Sequence, residues 1–458
     1  MVTIVPVETP TLGDRSCLAH DGQVAIVVDP QRDIDRVLAL AEQAGVRITH
    51  VLETHIHNDY VTGGLALAKA TGAAYLVNAA DDVSFARTPV SDGDVVEVSP
   101  SMRVRVIATP GHTFTHLAYA VDADGETVGV FTGGSLLFGA TGRPDLLGPD
   151  HTDDLVHHQY ASAHRLATEL PEQTAVLPTH GFGSFCSSGS TGEATESTIG
   201  REKQTNPALT DDEERWVADT LAGLDAYPAY YAHMGPTNSA GPVAANLDAA
   251  ESADPAILAR RLRDGEWVVD LRSRTAFAAG HVTGTLNLGL DGEFATYLGW
   301  LIPWGTPLTL LGDTPEQVGQ AQRELVRIGV DQLAGAATGS PQGWTDLPLG
   351  TFPRSRFADL AQVRNRRAVT VLDVRRDSEW NAGHLDGATH IQTHIPLHQL
   401  LTRLDDVPSG EVWVHCASGY RASIAASVLA AHGTTVVAVD DSFDEHAGAS
   451  GLRLVPAA

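Results

Sequence analysis

Lysine is almost absent: Lys69 and Lys203 are the only two in 458 residues, and every other cation is an arginine. Acidic residues outnumber basic ones 57 to 30, a formal charge of −27. A chain so short of positive charge repels phosphate backbones and anionic lipid surfaces, whose binding needs a basic stripe that releases counterions. Neither nucleic acid nor a membrane is therefore an expected partner. Cysteine is equally scarce. Cys17, Cys186 and Cys416 are far apart and odd in number, which excludes a disulfide framework and points to a reducing cytoplasm. No apolar run approaches the ~20 residues of a membrane span, and the opening MVTIVPVETPTLGDRSC lacks the basic and apolar regions of a secretory signal. What remains is 43% hydrophobic and 19% charged, enough for about three domains with buried cores. The composition is also compatible with a homo-oligomer.

The chain contains an internal repeat. DLRSRTAFAAGHVTGTLNL, from Asp270, aligns without gaps with DVRRDSEWNAGHLDGATHI, from Asp373, at an offset of 103. The alignment pairs Asp270 with Asp373, Arg272 with Arg375, and Gly280-His281 with Gly383-His384. Each copy opens on a β-rich run and closes on a helical one, the pattern of a small α/β unit with a parallel sheet. Two related domains are expected at 255–345 and 355–458, joined by a Gly/Pro/Ser-containing connector, TGSPQGWTDLPLGTFPRS, with a larger unit over 1–235.

In that larger unit four β-like runs each end in a polar loop: ITHVLE before THIHNDYVTGG, MRVRVIA before TPGHTFTH, TVGVF before TGGSLLFG, and TAVLP before THGFGSF. Loops at the carboxyl edge of a sheet are where ligands bind. They collect His55, His57, Asp59, His112 and His180, donors suited to a divalent ion.

These loops resemble the metallo-β-lactamase fold, whose H-x-H-x-D signature appears as His55-Ile56-His57-Asn58-Asp59. The resemblance implies an αββα sandwich followed by two rhodanese-like α/β domains, an α/β and α+β multidomain chain. Within that superfamily THIHNDYVTGG, TPGHT, TGGSLLFGATGRPDLLG and THGFGSFC are similar to the persulfide dioxygenases fused to rhodanese domains. That implies oxidation of a small-molecule thiol persulfide by non-haem Fe(II) and O2. Arg143 would then anchor an anionic substrate group, or pair internally with Asp145 to brace its loop. The sequence departs from the superfamily where Gly134 stands at the position of a ligating aspartate and Tyr60 at that of a histidine. A binuclear hydrolase is thereby disfavoured. A site of His55, His57 and His112 is expected to hold one divalent metal, Fe(II) or Zn(II). Asp59 and His180 are further candidate ligands, and Cys186 a candidate accessory thiol.

The second copy carries C-A-S-G-Y-R, from Cys416 to Arg421, between a short strand and a helix. Such a loop turns several N–H groups and a helix dipole toward the sulfur, favouring a nucleophilic thiolate. It resembles the rhodanese loop, whose four intervening residues suit sulfane sulfur better than phosphate, and implies thiosulfate or a persulfide as substrate. In the first copy the offset places Asp313 opposite Cys416 and Val318 opposite Arg421, so that copy is expected to be inactive. Two other readings stay open: a glyoxalase II-like thioester hydrolase, and a silent N-terminal scaffold with an active rhodanese domain.

Overall fold

Period-two alternation along the strands decides how the first layers assemble. In Asp14–His20, Cys17 and Ala19 face one core while Leu18 faces another. In Val24–Val28, Ile26 and Val28 join the first core, and Ala25 and Val27 the second. Leu117–Ala123 repeats the pattern, with Leu117, Tyr119 and Val121 on the first core and Ala118 and Ala120 on a third. Strands buried on both faces must be covered on both faces. In the computed structural model, which describes residues 2–189, 194–367, 369–387 and 391–456, two six-stranded sheets accordingly enclose the first core between them. Helices Asp35–Ala44 and Gly64–Thr71 cover one outer face, and helix Pro149–Glu169 covers the other. This is an αββα sandwich.

The described residues divide into two compact units, Met1–Asn246 with Val326–Gly329, and Leu247–Leu325 with Val330–Ala458. The second holds both copies of the repeat. The first copy has a parallel sheet in the order Leu286–Asn287, Trp267–Asp270, Leu308–Gly312, Leu333–Thr338. The second copy runs in the same spatial order: Ile391–His394, Thr370–Asp373, Glu411–His415, Thr435–Val439, with Arg354–Ser355 added at the far edge.

The residues shared by the repeat make the same buried brace in each copy. Arg272 grips Asp270 at 3.0 and 2.6 Å and donates to the Gly280 carbonyl at 2.9 Å. Arg375 grips Asp373 at 3.0 and 2.7 Å and the Gly383 carbonyl at 2.8 Å. A bidentate guanidinium–carboxylate pair satisfies both charges away from water. Within the connector stretch, the short helix Pro341–Trp344 buries Trp344 in the first copy's core. No helix among the described residues is long and apolar enough to cross a membrane.

Candidate metal centre and sulfur-transfer loop

The four strands ending before the polar loops are Arg47–Leu52, Met102–Ala108, Glu126–Gly133 and Ala175–Pro178. Their loops bring His55, His112 and His180 together, each with a ring nitrogen within 4.8 Å of the others, and all fully buried. The outer nitrogen of each ring is tied down. The Thr54 hydroxyl donates to Asp29 at 2.8 Å, so it accepts from His55 Nδ1–H at 2.9 Å. His112 Nδ1–H donates to the Arg143 carbonyl at 2.8 Å, and His180 Nδ1–H to Asp14 at 2.9 Å. Anchoring one nitrogen in this way aims the other, as at metal sites generally.

The inner atoms then lack partners. His112 Nε2 is buried with none, whereas buried Asp59 places Oδ2 3.0 Å from Nδ1 of His180, the nitrogen that Asp14 also faces. His55 Nε2 and His180 Nε2 face each other at 3.4 Å, a separation that needs a proton or a cation between the lone pairs. Burial and the neighbouring His180 push His112 down to about 3. Burial, and then the His57 charge, hold His55 well below the ordinary imidazole value. Against its burial, Asp59 and Asp14 raise His180 to about 10, so without a cation the proton resides there. Neutral imidazoles with inward lone pairs and a neighbouring carboxylate fit a divalent ion, which would displace that proton.

His57, expected as the third ligand, is held differently. Its Nε2 lies 3.3 Å from both Asp29 and Glu53 and 3.0 Å from the Tyr60 hydroxyl, with the Tyr60 ring stacked at 4.3 Å. Although burial opposes it, Asp29 followed by Glu53 raises His57 to about 9. Its remaining nitrogen faces a second cluster with Asp59 and His180. The tight trio therefore contains His180 where the sequence suggested His57. Gly134 leaves no space for a ligand in its place, because a Cβ there would sit 2.5 Å from the His112 ring.

In the second unit, Cys416 follows strand Glu411–His415 and is buried at the start of helix Tyr420–Ala431. The Gly419 and Ala422 N–H groups donate to its sulfur at 3.1 and 3.4 Å. Gly419 has φ of 96°, which curls the loop into a cradle that a side chain would strain. Arg421 does not line this cradle with free donors. Its two terminal nitrogens clasp Glu379 at 2.5 and 2.7 Å.

Residues 16–180 match the metallo-beta-lactamase superfamily and residues 357–449 the rhodanese-like domain. The chain carries a metallo-β-lactamase domain followed by a rhodanese-like domain. A solved metallo-beta-lactamase from Staphylococcus aureus subsp. aureus COL aligns at TM-score 0.66 and 27% identity, covering 74% of this chain and 99% of that one. ETHE1 from Myxococcus xanthus aligns at TM-score 0.45 and 27% identity, over 52% of this chain and 98% of that chain. Among curated proteins, a hydroxyacylglutathione hydrolase from Polaromonas sp. is 31% identical over 34% of this chain and 57% of its own length. The chain thus spans little more than half the length of the curated relatives it matches.

In the metallo-β-lactamase domain, Arg143 meets Asp145 at 2.7 and 2.8 Å and donates to the carbonyls of Phe185 and Asp225 at 3.2 and 2.7 Å. Four of its five N–H groups are thereby used. Of the two roles open to it, the brace is the one these contacts describe. Cys186 is fully buried, and burial followed by Asp59 and Asp14 pushes its thiol well above the ordinary value.

Three participants escaped the sequence reading. Asp29 ends strand Val24–Val28 and binds the Thr54 amide at 2.7 Å and the Thr179 hydroxyl, joining two ligand loops. Its place after the apolar run VAIVV was the available signal. His116 stacks on His55 at 4.9 Å, but both its nitrogens are engaged, with Gly134 N–H at 3.0 Å and Thr109 at 2.8 Å. Asp14, which orients His180, lies 166 residues before it and had no local signal.

Proposed function

We propose that this chain is a sulfur-metabolism enzyme, a persulfide dioxygenase-like metal domain coupled to a sulfurtransferase. The observation that carries the reading is one chain holding both an imidazole pocket without a bridging carboxylate and a sulfur cradle at Cys416. His55, His112 and His180 would hold the ion, with Asp59 beside them. An Fe(II) bound there supplies the redox chemistry that lets O2 react with a persulfide. The chain's own part is to keep two imidazoles neutral, to give up the His180 proton to solvent when the ion loads, and to shield the fully buried ligand atoms from bulk water. In balance, a persulfide, O2 and water give a thiol, sulfite and two protons.

At Cys416 the transfer conserves charge. Sulfite attacks the outer sulfur of a Cys416 persulfide, the S–S bond breaks, and thiosulfate leaves as the thiolate is restored. The Gly419 and Ala422 amides stabilise that thiolate as it forms. The first copy reads as a rhodanese-like domain that has lost its nucleophile, with Asp313 at the corresponding strand end.

A second reading, thioester hydrolysis, is favoured by the name of the curated relatives. Gly134 weighs against it, since a binuclear site needs the carboxylate that His112 leaves no room for. The test is O2 uptake with glutathione persulfide by iron-loaded protein. It should disappear in His112→Ala, and thioester hydrolysis without O2 uptake would refute the dioxygenase. Cys416→Ser should abolish sulfur transfer and Asp313→Ala preserve it.

A further inference from the structure

Arg274 breaks a local rule. It opens helix Arg274–Ala279 of the first copy, where the positive end of the helix dipole disfavours a cation. The repeat offset places Asp377 at the matching position of the second copy, an acid in the first turn of its own helix, as the dipole favours. A residue that breaks a local rule is expected to answer a long-range demand.

That demand lies in the second copy. Arg274 Nε donates to Asp440 Oδ1 at 2.9 Å, and Nη1 donates to Asp291 Oδ2 at 2.8 Å. Arg354 holds the other oxygen of Asp440. Burial opposes ionisation of Asp440, yet Arg354 and then Arg274 hold its carboxyl below the ordinary value, so it is charged at neutral pH. The repeat places Ala337 opposite Asp440, so the first copy has no reciprocal pair.

The carboxylate is packed on the sulfur cradle. A Cβ on Gly419 would collide with Asp440 Oδ1, and Gly419 is the residue whose N–H donates to Cys416 at 3.1 Å. Asp440 follows strand Thr435–Val439, and its own N–H donates to the Ser355 carbonyl at 2.9 Å, which fixes its backbone. Arg354 alone would leave Oδ1, the oxygen against Gly419, without its cation. That charge would oppose the negative sulfur on which transfer depends. Arg274 offsets it and lies within electrostatic reach of Cys416 itself. Neighbouring contacts keep the first copy against this loop: the Tyr420 hydroxyl donates to the Gly289 carbonyl at 2.7 Å, and Ser423 donates to the Asn287 side chain at 3.1 Å.

We propose that Arg274, from the copy without a nucleophile, is a positioning residue for sulfur transfer at Cys416. It acts through Asp440, holding Gly419 in place and offsetting the carboxylate charge beside the sulfur. This rests on the sulfurtransferase reading above.

The experiment uses the full chain with thiosulfate as donor and cyanide as acceptor. Arg274→Gln should lower kcat about tenfold with little change in either KM, because a charge near the reacting sulfur is lost. Arg274→Lys restores the charge and should recover most of that loss. Adding Asp440→Asn to Arg274→Gln should recover it too, since the carboxylate that Arg274 offsets is then gone. A contact that merely joins the two copies predicts the opposite, because the double variant has lost both partners. The inference is overturned by a double variant no faster than Arg274→Gln, by a wild-type kcat in Arg274→Gln, or by a thermal melt showing that Arg274→Gln does not fold. Absence of sulfur transfer by the wild type overturns the sulfurtransferase reading itself, and the inference with it.

Discussion

Replacing Glu379 by glutamine removes one charge from the clasp on Arg421 and leaves its shape. In the native structure burial opposes ionisation of Glu379, yet the Arg421 guanidinium holds it down from 4.5 to about 2. That difference corresponds to roughly 3 kcal/mol in favour of the ionised, folded form. A side chain 22% exposed is partly screened, which brings the figure to about 2 kcal/mol. The sign follows from a depressed acid: the contribution is full above pH 4.5 and fades as pH falls toward 2. At pH 7, Glu379→Gln should therefore lower the melting temperature of the second unit by roughly 4–8 °C. At pH 3 the loss should shrink to less than half. Differential scanning calorimetry of the full chain at both pH values measures it, with far-UV circular dichroism to establish that the variant is folded. The same variant loosens Arg421, so its use of thiosulfate should rise relative to the wild type. A melting temperature unchanged at pH 7, or lowered equally at both, would refute the reasoning about the clasp.

Other consequences follow from the buried contacts. Asp14→Ala should weaken metal binding by about tenfold while leaving the three imidazoles in place, because it removes one of the two carboxylates, Asp14 and Asp59, that hold the outer nitrogen of His180; titration against a competing chelator reads this directly. Metal loading at pH 8 should release about one proton per ion, since His180 is raised to about 10 and must be neutral to ligate. Calorimetric titration in two buffers of different ionisation enthalpy tests it, and zero release would mean that His180 is not a ligand. Asp270→Ala and Asp373→Ala should each cost about 3–5 kcal/mol, because either leaves a buried guanidinium without its carboxylate; the second unit's thermal midpoint by calorimetry measures both.

Much of the architecture was legible in the chain because it is local. The run MRVRVIA alternates with period two and ITHVLE is a short β-rich run before a polar loop, and the structure has strands at Met102–Ala108 and Arg47–Leu52. The repeat offset of 103 reappears as strands Trp267–Asp270 and Thr370–Asp373 in sheets of the same order. The inward packing of Trp344 was not legible, because the glycines and prolines around it signal turns.

The composition by itself determined that the chain is acidic, lysine-poor and too sparing of cysteine for a disulfide framework, and the local patterns determined its layers and its two chemical loops. Tertiary structure alone decided the donor geometry. His57 and His180 look alike in one dimension, but Tyr60 and two buried carboxylates turn Nε2 of His57 outward, while Asp14 aims His180 inward. Arg421 looks like an anion site until Glu379, 42 residues away in the chain, is brought within 2.7 Å. The first copy of the repeat looks merely silent at Asp313, and only packing brings Arg274 to Asp440. The reason is common to all three: a side chain's chemistry depends on which lone pairs and charges reach it, and residues distant in the chain supply them.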